Sequence, residues 1–296
     1  MTKLPLLKPL TAVVILLSAL VQNTSAIVIR HDISADRYLA SKLDFPALAT
    51  FYSIGVHGTL IEPEWILTAA HTVFCLDKGQ KILAGDEIVE IEARYSFPSY
   101  KLGEQNDIAL IKLRTPVTSV QPAKLYRQED ELHQEIWFIG SGGTGTGLTG
   151  EIVGYAENNG VLRKAQNKVV SVTASDLRFI FEKDTKGLEL EGVSGNGDSG
   201  GPAFIQKNDE YYLLGVSSRV DSWFKDVGEY GVKELYTRVS THQDWIDEVM
   251  NANKVERSKL SSSSSFMQPG MTEEHLPSLC ASISISKKQR TPKVAN

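Results

Sequence analysis

The residues best equipped for chemistry lie in Gly195-Asn196-Gly197-Asp198-Ser199-Gly200-Gly201-Pro202. Ser199 has glycines on both sides, a carboxylate directly before it and a proline three residues after it. A serine hydroxyl is a weak nucleophile until a base takes its proton, and that base needs a partner to hold its tautomer. Candidates for both lie upstream. His71 ends the short apolar run Leu67-Thr68-Ala69-Ala70-His71, and Asp107 heads the run Asp107-Ile108-Ala109-Leu110. The order His71, Asp107, Ser199 is one of those in which such triads occur. A set of this kind performs acyl transfer: Ser199 attacks a carbonyl, His71 takes and returns the proton, and Asp107 orients the imidazole and stabilises its charged form. The glycines allow a tight, exposed turn, and the N–H groups of Gly197 and Ser199 can converge on a developing oxyanion.

The elements that must position these residues read as β-structure. From Ile27 to about Val239 the chain consists of short apolar runs broken by Gly, Pro, Asn and Asp, among them Gly58-Thr59-Leu60-Ile61, Ile108 to Leu113 and Tyr211 to Ser217. Short strands with frequent turn residues indicate an all-β sandwich or barrel. After Val239 the pattern changes: Ser240 to Gln243 fits a capping box, and Trp245, Ile246, Val249 and Met250 fall on one helical face. Gly197-x-Ser199-x-Gly201 also satisfies the nucleophile elbow of α/β-hydrolases, an esterase or lipase alternative. That fold requires the histidine after the serine. The later histidines, His242 and His275, fall in the helical segment and in a polar tail, and no β–α alternation is visible. The run Gly140 to Gly147 lacks the lysine of a phosphate loop, and no metal-ligand spacing or cofactor motif is present, so neither a metal nor a cofactor is expected.

With 296 residues, 42% of them hydrophobic, the chain has ample material for a core. Residues 1–26 read as a secretory signal peptide: Lys3 and Lys8 form the basic start, Leu10 to Val21 the apolar stretch, and Thr24-Ser25-Ala26 a small-residue cleavage site. The apolar run is shorter than the roughly 20 residues needed to span a bilayer. Export is therefore expected, to a secreted or periplasmic location, with no stable membrane span after removal of the leader. Net charge is −5. Removing the two leader lysines and the net +3 of residues 255–296 leaves about −10 on residues 27–254, which argues against nucleic acid or an anionic membrane as the partner. Residues 255–296 are polar and serine-rich, and read as a solvated tail. There are two cysteines, Cys75 in the body and Cys280 in the tail; the sequence leaves open whether they bond.

Four motifs, Leu67-Thr68-Ala69-Ala70-His71, Asn106-Asp107-Ile108-Ala109-Leu110, the segment around Ser199, and Leu235-Tyr236-Thr237-Arg238-Val239 followed by Trp245, occur in the order and at roughly the spacings of chymotrypsin/trypsin-type serine peptidases. The chain resembles that family over about residues 27–250. The resemblance implies two six-stranded antiparallel β-barrels with a C-terminal helix, in a domain of residues 27–254, and the triad in the cleft between the barrels. It implies an endopeptidase acting on protein or peptide substrates and open to protein inhibitors; a catalytically silent binding protein on the same fold is the competing class. In related animal enzymes a cysteine beside the catalytic histidine is bonded to one in the preceding strand; Thr72 and Val56 stand there in this chain.

By the same resemblance Asp198 pairs with the α-ammonium of the mature N-terminus, here Ile27, exposed directly by removal of the leader. Ile29 and Arg30 replace the usual glycines. Ser218 supplies a further contact to Asp107. The pocket for the substrate side chain before the cut bond (P1) involves Val193, Ser194, Ser218, Val220 and Glu234. Val193 stands where trypsin-like members carry an Asp. That substitution favours a small or aliphatic P1 side chain, while Glu234 leaves a basic one open, unless it pairs with Arg219 or Lys233.

Overall fold

The structure, a computed structural model, describes residues 27–52, 54–154, 157–158, 160–221, 225–260, 274 and 280. The leader and most of the tail lie outside the described residues.

Strand β1 (Ile27–Ile29) opens the described chain, and six strands then close the first barrel: β2 (Leu48–Phe51), β3 (Val56–Glu62), β4 (Trp65–Thr68), β5 (Lys81–Ala84), β6 (Glu87–Ser96) and β7 (Ala109–Leu113). Their order around the barrel is β2-β3-β4-β7-β6-β5, with β5 returning to β2. Closure leaves no free edge, and Phe51, Leu60, Ile66, Ile82, Ile91 and Ile111 fill the interior.

The second unit is built from β8 (Lys124–Leu125), β9 (Glu135–Gly140), β10 (Thr144–Thr146), β11 (Gly150–Val153), β12 (Arg163–Lys168), β13 (Ser171–Val172), β14 (Asp176–Ile180), β15 (Gly192–Val193), β16 (Pro202–Lys207), β17 (Glu210–Asp221) and β18 (Lys233–Arg238). Its main sheet runs β12-β9-β16-β17-β18-β14-β13, around a core that includes Phe138, Phe179, Leu214 and Tyr236. The expected all-β, trypsin-like architecture is therefore present. The sheet's order starts at β12 and ends at β13, which follow one another in the chain, and at this seam Val170 N–H donates to Arg178 O of β14 (2.9 Å) while the buried Asn167 amide donates to Ile180 O of β14 (3.2 Å) and Gly192 O of β15 (3.1 Å).

A second, four-stranded sheet, β11-β10-β1-β15, lies beside this unit. The glycine run thus becomes the end of β9 and the strand β10. After β18 a 3-10 turn (Ser240–His242) leads into helix α2 (Gln243–Asn251), which buries Trp245, Ile246 and Val249. The capping box expected at Ser240 does not form: the Ser240 hydroxyl donates instead to buried Glu131 (2.5 Å), which also holds the Arg238 guanidinium. Cys75 and Cys280 form a disulfide that ties the tail to the first barrel across 205 residues.

Candidate active site

Strand register brings the histidine and aspartate together. In the antiparallel β4–β7 pair Thr68 lies opposite Ala109 and Leu67 opposite Leu110. The three residues after Thr68 and the two before Ala109 therefore leave the same end of the first barrel. The chain turns at Ala69 into the short helix α1 (Ala70–Val73), with the Thr72 hydroxyl bonded to Ala69 O. On the other side Asn106 takes φ 64°, a left-handed conformation that Asn tolerates, and Asp107 points inward at 2% exposure.

Both carboxylate oxygens of Asp107 bond His71. Asp107 Oδ2 accepts from His71 Nδ1 at 2.7 Å, and Oδ1 accepts from the His71 backbone N–H at 2.9 Å. Burial pulls the His71 imidazolium down, but the Asp107 charge and its hydrogen bond outweigh it, so the pKa stands above the ordinary histidine value. Two groups from the second unit complete the aspartate's surroundings: Ser218 Oγ donates to Oδ2 at 2.8 Å and Thr237 Oγ1 to the Asp107 carbonyl at 2.8 Å. Ser218 sits in a bulge between Ser217 and Arg219, an irregularity that re-aims a side chain out of the ladder. Thr237 carried no sequence signal for this role, because its partner lies 130 residues away.

Ser199 arrives from the other side by the same logic. In the β16–β17 pair Pro202 lies opposite Val216, so the turn before Pro202 and Ser218 beyond Val216 share one end of the second unit. The turn is locked to both units. The Ser199 carbonyl accepts from His57 N (3.0 Å), Gly200 N–H donates to Ser217 O (2.9 Å), and Ser217 N–H donates to Gly201 O (2.9 Å). Gly200 has φ 74°, and a Cβ there would strike Thr68 Oγ1 and His57 O. Glycine at this position therefore lets the turn carrying Ser199 press against the strand end that leads to His71. Ser199 itself is half-buried.

The oxyanion candidates lie in the preceding loop. Gly197 has φ 93°, and the Asn196 carbonyl accepts from Gly143 N–H (2.7 Å). A trans peptide aims its N–H opposite to its carbonyl, so Gly197 N–H faces away from Gly143. The Asn196 N–H is held by Glu151 at 2.6 Å, a carboxylate that sequence reasoning did not single out.

Asp198 is 3% exposed and accepts from Gly142 N–H (2.7 Å) and Gly195 N–H (2.9 Å). A Cβ on Gly140 or Gly142 would run into it, which explains why glycines surround it. Burial pushes its carboxyl up to about 7, against the pull of those two N–H groups, and the Glu151 charge adds to the rise. His57 Nε2 lies 3.8 Å away, but burial holds His57 down at about 4. Its Nε2 accepts from Ser141 N–H (3.0 Å), so His57 is the neutral tautomer and supplies no counter-charge. Ile27, 1% exposed, lies in β1 between β10 and β15, with Val28 opposite Val193.

The specificity candidates divide. The Val193 side chain packs in the core with Val28, Phe181 and Tyr230. Ser194 bonds Glu234 through both its hydroxyl (2.6 Å) and its N–H (3.1 Å). Val220 lies opposite Glu234 in the β17–β18 pair. Neither cation considered for Glu234 reaches it: Arg219 is held by Asp176 at 2.9 and 3.2 Å, and Lys233 is exposed.

The first barrel thus holds a paired histidine and aspartate, and the glycine-rich turn carrying Ser199 is bonded to that barrel through His57 N. Comparison with known proteins agrees. The trypsin family model matches residues 38–246. The chain is 29% identical over 264 residues to serine protease SSP1 of Scolopendra subspinipes, covering 77% of this chain and 87% of that protein. It is 27% identical over 235 residues to urokinase-type plasminogen activator of Gallus gallus, covering 66% of this chain but only 50% of that longer protein. The chain belongs to the trypsin family and is a serine endopeptidase by class.

Proposed function

We propose that the protein hydrolyses peptide bonds through an acyl-enzyme, with Ser199 as nucleophile, His71 as general base and then general acid, and Asp107 as the group that orients His71. The observation that carries this reading is the three-way engagement of Asp107, by His71 Nδ1, His71 N–H and the Ser218 hydroxyl. It leaves His71 Nε2 as the free, basic nitrogen for the serine proton. The raised His71 pKa suits a base that must accept a proton during attack and release it to the leaving amine. Gly197 and Ser199 N–H stabilise the oxyanion, each such donor being worth about 10²–10³ in turnover.

Activation follows from two features of the buried interior. Asp198 has two amide donors but no counter-charge, and an ammonium formed at Ile27 supplies one. Ile27 also carries φ 62°, a costly conformation for a β-branched residue. Cutting the Ala26–Ile27 bond removes that constraint and creates the ammonium together. Export through a cleaved leader accounts for both, and places the enzyme in a secreted or periplasmic location.

The test is digestion of a denatured protein mixture by the protein expressed from its full sequence, beside Ser199→Ala, with cleavage sites and the enzyme's own N-terminus read by mass spectrometry. Serine-dependent cleavage and an N-terminus at Ile27 are expected. Equal cleavage by Ser199→Ala refutes the triad, and an active enzyme beginning elsewhere refutes the activation scheme.

A further inference from the structure

The turn that carries Ser199 engages most of its backbone donors within the protein. Gly195 N–H donates to Asp198 Oδ2 (2.9 Å), Asn196 N–H to Glu151 Oε2 (2.6 Å) and Asp198 N–H to Gly195 O (3.0 Å). Gly200 N–H donates to Ser217 O (2.9 Å) and Gly201 N–H to Asp198 O (3.0 Å). From Gly195 to Gly201, Gly197 and Ser199 are the residues whose N–H groups have no acceptor among the described residues. These are the two groups proposed to meet the oxyanion, so the direction of the Asn196–Gly197 peptide decides whether the first is in place. That peptide is held directly by one neutral bond, from Gly143 N–H to Asn196 O at 2.7 Å. It adjoins Gly197, whose φ of 93° is glycine territory, and a peptide beside a glycine rotates with little steric hindrance.

Glu151 supplies a second hold. It stands on β11 opposite Gly145 of β10, and its own N–H donates to Val227 O at 2.8 Å, so its backbone is fixed from two sides. Its carboxylate grips Asn196 twice: Oε2 accepts from the backbone N–H, and Oε1 accepts from the side-chain Nδ2 at 3.2 Å. Hydrogen bonds to a charged acceptor are roughly twice as strong as neutral ones. Neighbouring glycines make room for this contact. A Cβ on Gly143 would strike the Glu151 carboxylate, and one on Gly195 would strike Gly143 O and Glu151 Oε2. Gly143, Gly195 and Asn196 thus close round one side chain. Burial pushes the Glu151 carboxyl above its ordinary value, and the two Asn196 donors oppose that rise. Its hydrogen bonds run to Asn196 and not to the triad, so any influence on the reaction passes through Asn196.

We propose that Glu151 is a positioning residue of the reaction: it clamps Asn196 so that the Asn196–Gly197 peptide keeps its N–H toward the developing oxyanion. This rests on the proposed reaction at Ser199 and adds to it a group outside the triad. Asp198 and Glu151 then hold successive N–H groups of one turn, Gly195 from one side and Asn196 from the other. A donor aimed at the oxyanion binds the tetrahedral intermediate more strongly than the ground-state carbonyl. The clamp therefore acts on turnover and not on substrate binding.

The test uses the protein expressed from its full sequence and a fluorogenic peptide copied from a site cut in the digest of the protein mixture. The matching peptide aldehyde, whose adduct with Ser199 places an oxygen in the oxyanion position, serves as a second probe. Three variants separate reach from charge. Glu151→Ala removes the clamp, and Glu151→Asp keeps the charge on a side chain one methylene too short for Asn196. Glu151→Gln keeps the reach: its amide oxygen accepts the Asn196 N–H, and the Asn196 side chain turns its Oδ1 to the new NH₂ group. Glu151→Ala and Glu151→Asp are expected to lower kcat about 10²-fold, the scale of one oxyanion donor. The aldehyde should weaken in parallel, with KM within about twofold of wild type. Glu151→Gln is expected to lose less than about tenfold. If Glu151→Ala fails to fold, Glu151→Asp against Glu151→Gln decides. The inference is overturned if Glu151→Asp keeps kcat within about threefold, if its loss lies in KM alone, or if Glu151→Gln falls as far. A wild type that cuts no site, or no better than Ser199→Ala, refutes the reaction itself and this inference with it.

Discussion

Replacing Asp107 by Asn isolates the part of the site that geometry controls most tightly. The aspartate accepts three hydrogen bonds on two oxygens: His71 N–H on Oδ1, and His71 Nδ1 and the Ser218 hydroxyl on Oδ2. Asparagine has the same shape but only one acceptor oxygen. If that oxygen faces Nδ1, its NH₂ group collides donor to donor with the His71 backbone N–H. If it faces the backbone, the NH₂ group meets Nδ1 and forces the imidazole proton onto Nε2, where it blocks acceptance of the serine proton. Retaining the useful tautomer leaves two buried donors confronted, each costing about 1–3 kcal/mol, and forfeits a charge-assisted bond of about 1.5–3 kcal/mol. Together these span about 3.5–9 kcal/mol, and the middle of that range, about 6 kcal/mol, is roughly 10⁴ in kcat. The assay is kcat on a peptide substrate, with the His71 titration followed by NMR. Its pKa is expected to fall below the ordinary value, because burial is the influence left once the Asp107 charge is gone. A variant within tenfold of wild type, with His71 still titrating high, would refute the argument.

Two further expectations address activation and stability. Asp198→Asn removes the charge that an ammonium at Ile27 would meet and leaves one of the two amide donors, Gly142 or Gly195, facing an NH₂ group. Peptide cleavage by the processed enzyme should fall about 10²–10³-fold, and unchanged kcat/KM would exclude the ion pair. Glu131→Ala takes from the buried Arg238 the carboxylate to which it donates at 3.0 and 2.7 Å, and leaves it the exposed Glu129 carboxylate 3.6 Å away and the Thr173 and Glu129 carbonyls. Denaturant unfolding should register a loss of about 3–5 kcal/mol, and a loss below about 1 kcal/mol would show that Glu129 and the two carbonyls suffice for the guanidinium.

The family was legible in the sequence because the proposed nucleophile, base and orienting acid, Ser199, His71 and Asp107, sit in short contiguous motifs. The turn around Ser199 needs glycine where Cβ atoms would strike Thr68 or Asp198, so its requirements are written locally. The strands were legible through short apolar runs between turn residues. The α2 face of Trp245, Ile246 and Val249 followed from periodicity, although its start did not: Ser240 looked like a local cap and instead serves a buried Glu131 more than a hundred residues away.

What only the tertiary structure decided are contacts between segments far apart in sequence, for which no local pattern exists. The pairing of Cys75 with Cys280, the Asn167 amide bridging β14 and β15, and the neutral His57 lying beside Asp198 are of this kind. So is the difference between Val193 and Glu234. The family resemblance made both candidates for the pocket, but packing places Val193 in an apolar core and holds Glu234 against Ser194 with no ion-paired cation among the described residues. Residue type and spacing determine what a side chain can do. The charge it carries, and the partner it lacks, depend on burial, which is a property of the folded chain.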